Sequence, residues 1–129
     1  MPNFRLASHV TRGRRAERRA ERYLRRRGLA TVVRNYARTT GEVDLVMLDG
    51  DDLVFVEVRY RGPGSWASAL ESVDSAKQGR IVRTCELFRR DHPEHRFRAV
   101  RFDVVAATKG NLGLELEWIR NAFDATGCA

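Results

Sequence analysis

The pattern of apolar and polar positions along the 129-residue chain predicts two helices and five strands. Apolar residues spaced three or four apart indicate the helices, and alternating runs rich in Val, Leu and Phe indicate the strands. The helices are predicted over 13–27 and 74–91, and the strands over 30–38, 42–60 (a hairpin), 97–107 and 114–119. The order αβββαββ predicts an α/β protein in which helices flank a small mixed sheet.

Residues at the helix ends support these boundaries. Gly28 follows the first helix, where glycine commonly ends a helix. Asp74 or Ser75 is expected to cap the second helix, and Gln78 would complete a capping box with Ser75.

Two charged residues lie beside the apolar faces of the predicted helices. Glu17 falls at the margin of the first face, where it points either into a cleft or to water. Lys77 lies one turn before Ile81 on the second helix, although a helix N-terminus disfavours cations. Lys77 either extends to water along its apolar stem or points into a polar cleft.

Length and composition indicate one folded domain covering 1–129, with a flexible arm at 1–10 and a tail at 124–129. The chain is 43% hydrophobic and 32% charged, which is enough for a core and excludes a disordered chain. No apolar stretch approaches the ~18 residues that cross a bilayer, and no secretory signal is visible. We therefore expect a cytoplasmic protein without a membrane partner. Two cysteines are too few for a disulfide framework or a zinc site.

The predicted hairpin carries acids on otherwise apolar strands. If the turn is Gly50-Asp51, or the loop 49–52, then Asp44 faces Glu57 and Glu42 faces Arg59. If the turn is Asp49-Gly50, then Glu42 faces Glu57 instead. Both registers bring two acids together on one face of the hairpin, at the end away from the turn.

Opposed carboxylates in a strand pair need a compensating charge. Their Cβ atoms would lie about 5 Å apart, and like charges at that distance are destabilising. A divalent cation would offset the repulsion, because Mg²⁺ binds through one or two carboxylates. The structural alternative is that Glu42 pairs with Arg59, Asp44 caps a loop and Glu57 reaches water at a sheet edge. The coincidence of two acids on apolar strands favours a functional site.

Positive charge is concentrated near the N-terminus. Residues 1–40 contain 12 arginines and two glutamates, a net charge of +10, whereas the remainder carries −3, which together give the +7 of the whole chain. Such a patch attracts phosphate backbones, which arginine binds bidentately. The alternatives are an acidic membrane surface or a solvated helix face. The arginines expected to contact nucleic acid are Arg14, Arg15, Arg18, Arg22, Arg25 and Arg61.

These motifs resemble a known nuclease superfamily. A helix with Glu17, followed by Glu42-x-Asp44 and Glu57-x-Arg59, resembles the restriction-endonuclease-like superfamily, whose core motif is written PD-(D/E)XK. More closely, the chain resembles the bacterial YraN-type family. That resemblance rests on GRRAERRAERYLRRRG, Asn35, GEVDLV, LVFVEVRYR, SVDSAKQGRI, RFDVV and NAF, which together extend over nearly the whole chain. The superfamily is similar in plan to archaeal Holliday-junction resolvases.

The resemblance implies a restriction-endonuclease-like fold and Mg²⁺- or Mn²⁺-dependent cleavage of DNA, on branched or repair intermediates. It implies that Asp44 and Glu57 bind the metal and that Glu17 completes the shell or orients a water. Arg59 stands where the superfamily has lysine. Arginine cannot act as a base, but it can stabilise charge on the phosphate, and Lys77 could supply the missing amine.

Two other functions are compatible with the sequence. One is a nucleic-acid-binding protein whose nuclease-like fold does not cleave, and the other is a protein-interaction module that uses the same fold without nucleic acid. Metal binding distinguishes the nuclease from both, and salt-dependent DNA binding distinguishes the two alternatives from each other. The sequence leaves open whether the chain acts alone or as a homodimer.

Overall fold

Two helices and five strands follow one another in the predicted order. The computed structural model describes residues 4–61 and 71–124, with side chains from residue 13 onward. The elements are α1 (Phe4–Arg26), β1 (Ala30–Arg38), β2 (Gly41–Asp49), β3 (Asp52–Arg61), α2 (Ser75–Asp91), a short 3₁₀ helix (Pro93–His95), β4 (Val100–Gly110) and β5 (Gly113–Phe123). The order αβββαββ is therefore confirmed.

The strands form one mixed sheet in the spatial order β1-β2-β3-β4-β5. Strands β3 and β4 are parallel, and the other neighbouring pairs are antiparallel. A parallel pair needs a crossover connection, and α2 lies in the connection between β3 and β4. The mixed α/β architecture agrees with the predicted restriction-endonuclease-like plan.

The two helices pack against opposite faces of the sheet. Ala20 and Leu24 of α1 pack with a group of strand residues that includes Val54 and Val56. Phe88 of α2 packs with a separate group that includes Phe55. Successive residues of a strand point to opposite faces, so the alternation between Val54, Phe55 and Val56 places the sheet between two helical layers.

The hairpin of β2 and β3 has the register that a Gly50-Asp51 turn predicts. Leu48 pairs with Leu53, and Asp49 pairs with Asp52. Gly50 has φ of +60°, a left-handed conformation that glycine adopts without steric cost. The alternative turn at Asp49-Gly50 is therefore excluded.

Several predicted boundaries differ from the structure. Helix α1 begins at Phe4, nine residues before the predicted start, so most of the expected arm at 1–10 is helical. An interior glycine costs a helix only about 1 kcal/mol relative to alanine, so Gly13 does not stop α1. Strand β4 begins at Val100 instead of 97, after the 3₁₀ turn that leaves Phe97 exposed. The expected tail beyond Asp124 lies outside the described residues.

Within residues 4–61 and 71–124, no helix is both long enough and apolar enough to cross a membrane.

A buried acid joins β4 to β5. Asp103 is 1% exposed. Its carboxylate accepts hydrogen bonds from Arg101 Nε at 2.9 Å, Trp118 Nε1 at 2.8 Å and the Asn121 backbone N–H at 3.0 Å. A second Arg101 nitrogen also donates to it at 3.0 Å. These bonds tie the buried carboxylate to both strands and give it a cationic partner, so Asp103 has a structural role.

We expect Asp103→Asn to lower the free energy of unfolding by roughly 2–4 kcal/mol, because an amide removes the charge that Arg101 pairs with and cannot accept every bond. Urea unfolding followed by circular dichroism measures this. Asp51→Asn is the matched control, because the Asp51 side chain is fully exposed, and a change within about 0.5 kcal/mol is expected there. Equal effects in the two variants would contradict the structural role.

Candidate active site

Strands β2 and β3 stop pairing at Asp44. The last paired residues on that side are Leu45 and Val56. Beyond them, Asp44 Oδ2 accepts a hydrogen bond from the Val58 backbone N–H at 2.8 Å. A side-chain oxygen therefore occupies the position that a backbone carbonyl would have in a regular ladder. The carboxyl group of Asp44 lies between the two strands at the point where they separate.

The side chains of β1 and β2 exchange faces at the same place. Arg34 hydrogen-bonds to α1, whereas Tyr36 packs against α2, although residues two apart in a strand normally share a face. Asn35 lies between them with φ of +51°, in the left-handed region. On β2, Leu45 packs in the core beneath α1 and Val43 in the core beneath α2. The exchange therefore brings polar groups into the middle of the sheet.

Asp44 and Glu57 form a pair of interacting carboxyls, of which Glu57 is buried and Asp44 is partly buried. Burial and the neighbouring charge of Glu57 raise the pKa of Asp44 to about 9, against the opposing effect of the Val58 N–H. The charge of Glu17 raises the pKa of Asp44 further. Burial also raises the pKa of Glu57, although Arg59 and Lys77 lower it. Near neutral pH the pair therefore retains one proton when no cation is bound.

Arg59 forms an ion pair with Glu57, one of these two acids. An Arg59 Nη2 nitrogen lies 3.1 Å from Glu57 Oε2. The Nε of Arg59 is buried, and no residue that the structure describes accepts a hydrogen bond from it. A buried N–H without an acceptor is energetically costly, so the site has a donor available for an anionic ligand.

A pocket of about 130 Å³ opens beside Glu57. It is lined by Gly41, Glu42, Glu57, Arg59, Lys77, Arg80 and Ile81. Of the two orientations that the sequence left open for Lys77, the structure has the one in which Lys77 lines the polar pocket. Acidic and basic side chains thus converge on one small cavity.

The N-terminus of α2 places Lys77 in that cavity. Asp74 caps the helix by accepting a hydrogen bond from the Lys77 backbone N–H at 2.9 Å, as predicted. The predicted capping box is wrong, because the Gln78 side chain donates instead to the Val73 carbonyl at 2.9 Å. Gly41 has φ of +149°, and a Cβ there would lie 3.5 Å from the Cβ of Arg80. Glycine therefore allows β2 this conformation beside α2.

Glu17 approaches Asp44 from α1. It lines a second pocket of about 190 Å³, with Arg14, Arg18, Glu21, Arg34, Asn35 and Leu45. The Asn35 amide donates to Glu17 Oε2 at 2.8 Å and to Glu42 Oε1 at 3.4 Å. Of the five predicted catalytic residues, the structure thus brings Glu57, Arg59 and Lys77 to one pocket, with Asp44 beside Glu57 and Glu17 in the neighbouring pocket.

The predicted nucleic-acid contacts lie mainly on the exposed face of α1. Arg14, Arg15, Arg18, Arg22 and Arg25 are all exposed. An open groove of about 530 Å³ is lined by Arg18, Glu21, Arg22, Arg25 and Arg26. Arg61 lies at the end of β3, half-buried, and not on α1. Because Arg14 and Arg18 share the second pocket with Glu17, the basic groove adjoins the acidic site.

Two residues beside this site were given no role there from the sequence. Glu21 is 7% exposed and accepts hydrogen bonds from Thr31 at 2.6 Å and Arg34 at 2.9 Å. Burial acts to raise the pKa of Glu21, but these two bonds hold it below the usual value. Asn35 is the other. The available signal was that asparagine is depleted in strands, yet Asn35 stands inside an apolar run that predicts one. Glu21 attaches α1 to β1, whereas Asn35 contacts the acids.

The acids fit a divalent cation that keeps much of its own hydration. Asp44 and Glu57 offer carboxylate oxygens, the hard ligands that Mg²⁺ and Mn²⁺ prefer. In the part of the chain that the structure describes, no group of three His, Cys, Asp or Glu residues is arranged to hold a metal. Proteins usually bind Mg²⁺ through one or two carboxylates, and oxygens of water or phosphate complete its ligands. A cation here would displace the proton held by the pair.

The raised pKa of Asp44 predicts how stability depends on pH. The folded state keeps a proton that the unfolded state releases near pH 4, so without metal the free energy of unfolding falls as the pH rises from about 4 to 9. For one proton the slope approaches about 1.4 kcal/mol per pH unit. Asp44→Asn should not show this fall in the free energy of unfolding, and it should be at least as stable as wild type at pH 8. Urea unfolding in the presence of chelator measures both.

Asp103→Asn is the matched control for that comparison, since the same substitution is made in the same sheet at a fully partnered acid. A loss of more than about 1 kcal/mol for Asp44→Asn at every pH would mean that Asp44 is a structural acid like Asp103.

Comparison with known proteins places the chain in a family. The model of the Uncharacterised protein family UPF0102 matches residues 16–107. A UPF0102 protein of Ectopseudomonas mendocina is 47% identical over 121 residues, which are 93% of this chain and 100% of that protein. UPF0102 proteins of Stutzerimonas stutzeri (48% identical; 88% of this chain, 94% of theirs) and Pseudomonas aeruginosa strain LESB58 (49%; 88% and 92%) are also similar. The chain therefore belongs to the Uncharacterised protein family UPF0102, the YraN-type family that its motifs resemble.

Proposed function

We propose that the protein is a metal-dependent nuclease that hydrolyses phosphodiester bonds in DNA. The observation that carries this proposal is the pair of Asp44 and Glu57, which interact at the point where two strands separate, with cationic side chains beside Glu57. A fold that needed these positions only for stability would fill them with apolar residues or partner each acid fully, as Asp103 is partnered. Perturbed acids in a cleft are typical of catalytic sites.

Asp44 and Glu57 would hold Mg²⁺ or Mn²⁺. A divalent cation bound there would act as a Lewis acid on the scissile phosphate and would make water a stronger nucleophile at neutral pH. Glu17 lies near enough to Asp44 to raise its pKa, so we assign Glu17 the role of orienting a water or completing the ligand shell. The two carboxylates also repel phosphate unless a cation is present, which makes productive binding depend on the metal.

Arg59 and Lys77 would act on the phosphate from the pocket beside Glu57. Arg59 carries a buried Nε donor without an acceptor among the described residues, and a guanidinium stabilises charge that develops on phosphoryl oxygens. Of the three cations that the structure describes around this pocket, Lys77 is the only amine, and the two arginines cannot give up a proton. Lys77 is therefore the residue to which we assign proton transfer.

The exposed arginines of α1 would bind the DNA backbone. The groove lined by Arg18, Arg22, Arg25 and Arg26 presents guanidinium groups suited to successive phosphates. Contacts of this kind position a duplex without reading its sequence. A preference for branched or repair intermediates would then come from the shape of the DNA, and partner chains of a homodimer could contribute a second groove.

A second candidate function is nucleic-acid binding without cleavage. It is favoured by Arg59, which occupies the motif lysine position and neutralises Glu57 at 3.1 Å. An arginine there competes with a cation for the Glu57 carboxylate and cannot act as a base. The basic groove would remain functional in such a protein.

We expect wild-type protein to cut linear, flapped or four-way DNA with Mg²⁺ or Mn²⁺ and to be inactive in excess chelator. Asp44→Asn and Glu57→Gln should each reduce cleavage about 100-fold or more while leaving DNA binding nearly intact, since they remove the metal ligands and not the basic groove. The measurement is single-turnover cleavage of labelled substrates, with Asp51→Asn as the control. Cleavage that is equal with and without chelator would exclude the metal mechanism.

The same assay separates the two candidate functions. Binding without cleavage in Mg²⁺ and in Mn²⁺, on DNA and on RNA, would support the non-catalytic function. If Arg59→Lys then produced cleavage, the scaffold would be a nuclease that the arginine silences.

DNA affinity should fall steeply with salt and depend little on sequence. On duplex DNA the slope of log K against log salt is about −0.9 for each phosphate neutralised. Replacing Arg18, Arg22 and Arg25 together by Ala should make that slope less steep by about two to three units. The measurement is fluorescence anisotropy between about 50 and 300 mM salt, roughly the range in which such slopes are resolved.

The control for this prediction removes the same charge elsewhere. Arg83, Arg90 and Arg96 are exposed on α2 and the turn after it, and their replacement by Ala should change the slope by less than about one unit. Equal effects of the two triple variants would contradict a binding surface on α1.

A further inference from the structure

We infer that Asn35 is a positioning residue of the metal site, which holds the carboxylate of Glu17 toward Asp44. This inference rests on the proposed function and extends it to a residue that contributes no charge. Asn35 would act through Glu17 and would not contact the DNA or the cation itself.

The backbone of Asn35 creates the geometry in which this contact forms. Its φ of +51° is uncommon for a residue with a side chain, and asparagine is among the few that adopt it readily. The pairs on either side, Arg34 with Leu45 and Tyr36 with Val43, place Asn35 opposite Asp44. The exchange of faces described above therefore occurs at Asn35 on one strand and at Asp44 on its neighbour.

The amide of Asn35 then links acids from two different elements. Its Nδ2 donates to Glu17 Oε2 of α1 at 2.8 Å and lies 3.4 Å from Glu42 Oε1 of β2. The bond to Glu17 has the length of a charge-assisted hydrogen bond, and the longer contact to Glu42 is weaker. An NH₂ group can donate two hydrogen bonds and is neutral. It can therefore hold two carboxylates close together without cancelling the negative charge that attracts a cation.

A cationic side chain in the place of Asn35 would cancel the negative charge of the acid that it holds. Glu21, one turn further along α1, is bonded to Arg34 at 2.8 Å, and that ion pair neutralises the acid. Glu17 is instead held by a neutral amide, from a residue that lies opposite Asp44 on the neighbouring strand, so its negative charge is kept beside the site. Hydrogen bonds that orient ligating carboxylates typically strengthen metal affinity 10- to 100-fold.

The test is the affinity of DNA-free protein for Mn²⁺, measured by isothermal titration calorimetry. Asn35→Gly keeps the left-handed backbone accessible and removes the amide, and we expect it to weaken Mn²⁺ binding about tenfold or more. Asn121→Gly is the matched control, because Asn121 has φ of +50° on β5, at the opposite edge of the sheet. Its affinity should stay within about twofold of wild type.

A double-mutant cycle separates positioning from a merely structural role. If Asn35 acts by holding Glu17, then Asn35→Gly should have no further effect on Mn²⁺ affinity once Glu17→Gln is present. A general loss of structure would instead add to the effect of Glu17→Gln. Glu17→Asp is a second variant for the case in which Asn35→Gly does not fold. It retains the charge but is one methylene shorter, and it should weaken Mn²⁺ binding to a similar degree.

The outcomes distinguish this inference from the proposed function. If wild type binds Mn²⁺ and both Asn35→Gly and Glu17→Asp match it, the positioning role is overturned and the proposed function stands. Additive effects in the cycle also overturn the positioning role. If wild type has no measurable affinity for Mn²⁺, both the proposed function and the inference fail.

Discussion

The structure is organised around two carboxyl groups, those of Asp44 and Glu57, which lie together where β2 and β3 separate, Glu57 buried and Asp44 partly buried. Regular pairing of the two strands ends at Leu45 and Val56 because the Asp44 side chain takes the next backbone donor, the Val58 N–H. The opening of the sheet and the presence of the acids are thus one feature. Burial and mutual charge make the pair energetically costly unless a proton or a cation is shared between them.

The other buried acids show how this chain treats a carboxylate that serves stability. Glu21 is bonded to Thr31 and Arg34, and Asp103 accepts four hydrogen bonds, two of them from Arg101. Each of these acids is matched by a cation and by fixed donors, as buried charges in proteins usually are. Asp44 instead has one backbone donor and an acidic neighbour. The contrast within a single sheet distinguishes a functional acid from a structural one.

Much of the fold followed from the sequence, because local rules and the tertiary structure agree there. Apolar alternation and the turn residues limited the β2–β3 hairpin to two registers, of which the structure has the one with the turn at Gly50-Asp51. Two neighbouring residues, Asp74 and Ser75, were the candidates to cap α2, and Asp74 is the cap. The exchange of faces at Asn35 was not predicted, since it depends on a left-handed residue inside a strand and not on an alternating pattern. The early start of α1 was missed because the prediction followed the apolar stripe that begins at Ala16, and such a stripe specifies helix boundaries poorly.

Arg59 and its neighbours act unequally on the two acids of the pair. Arg59 and Lys77 both favour the ionised form of Glu57, whereas Asp44 is adjacent to Glu57 and within range of Glu17. The proton belongs to the pair as a whole, and these charges bias it toward Asp44. A lysine in place of Arg59 would weaken this asymmetry whenever it lost its own proton, but a guanidinium keeps it at every accessible pH. An arriving cation thus competes with one proton of the pair and with one guanidinium on Glu57, so its binding must become stronger as the pH rises.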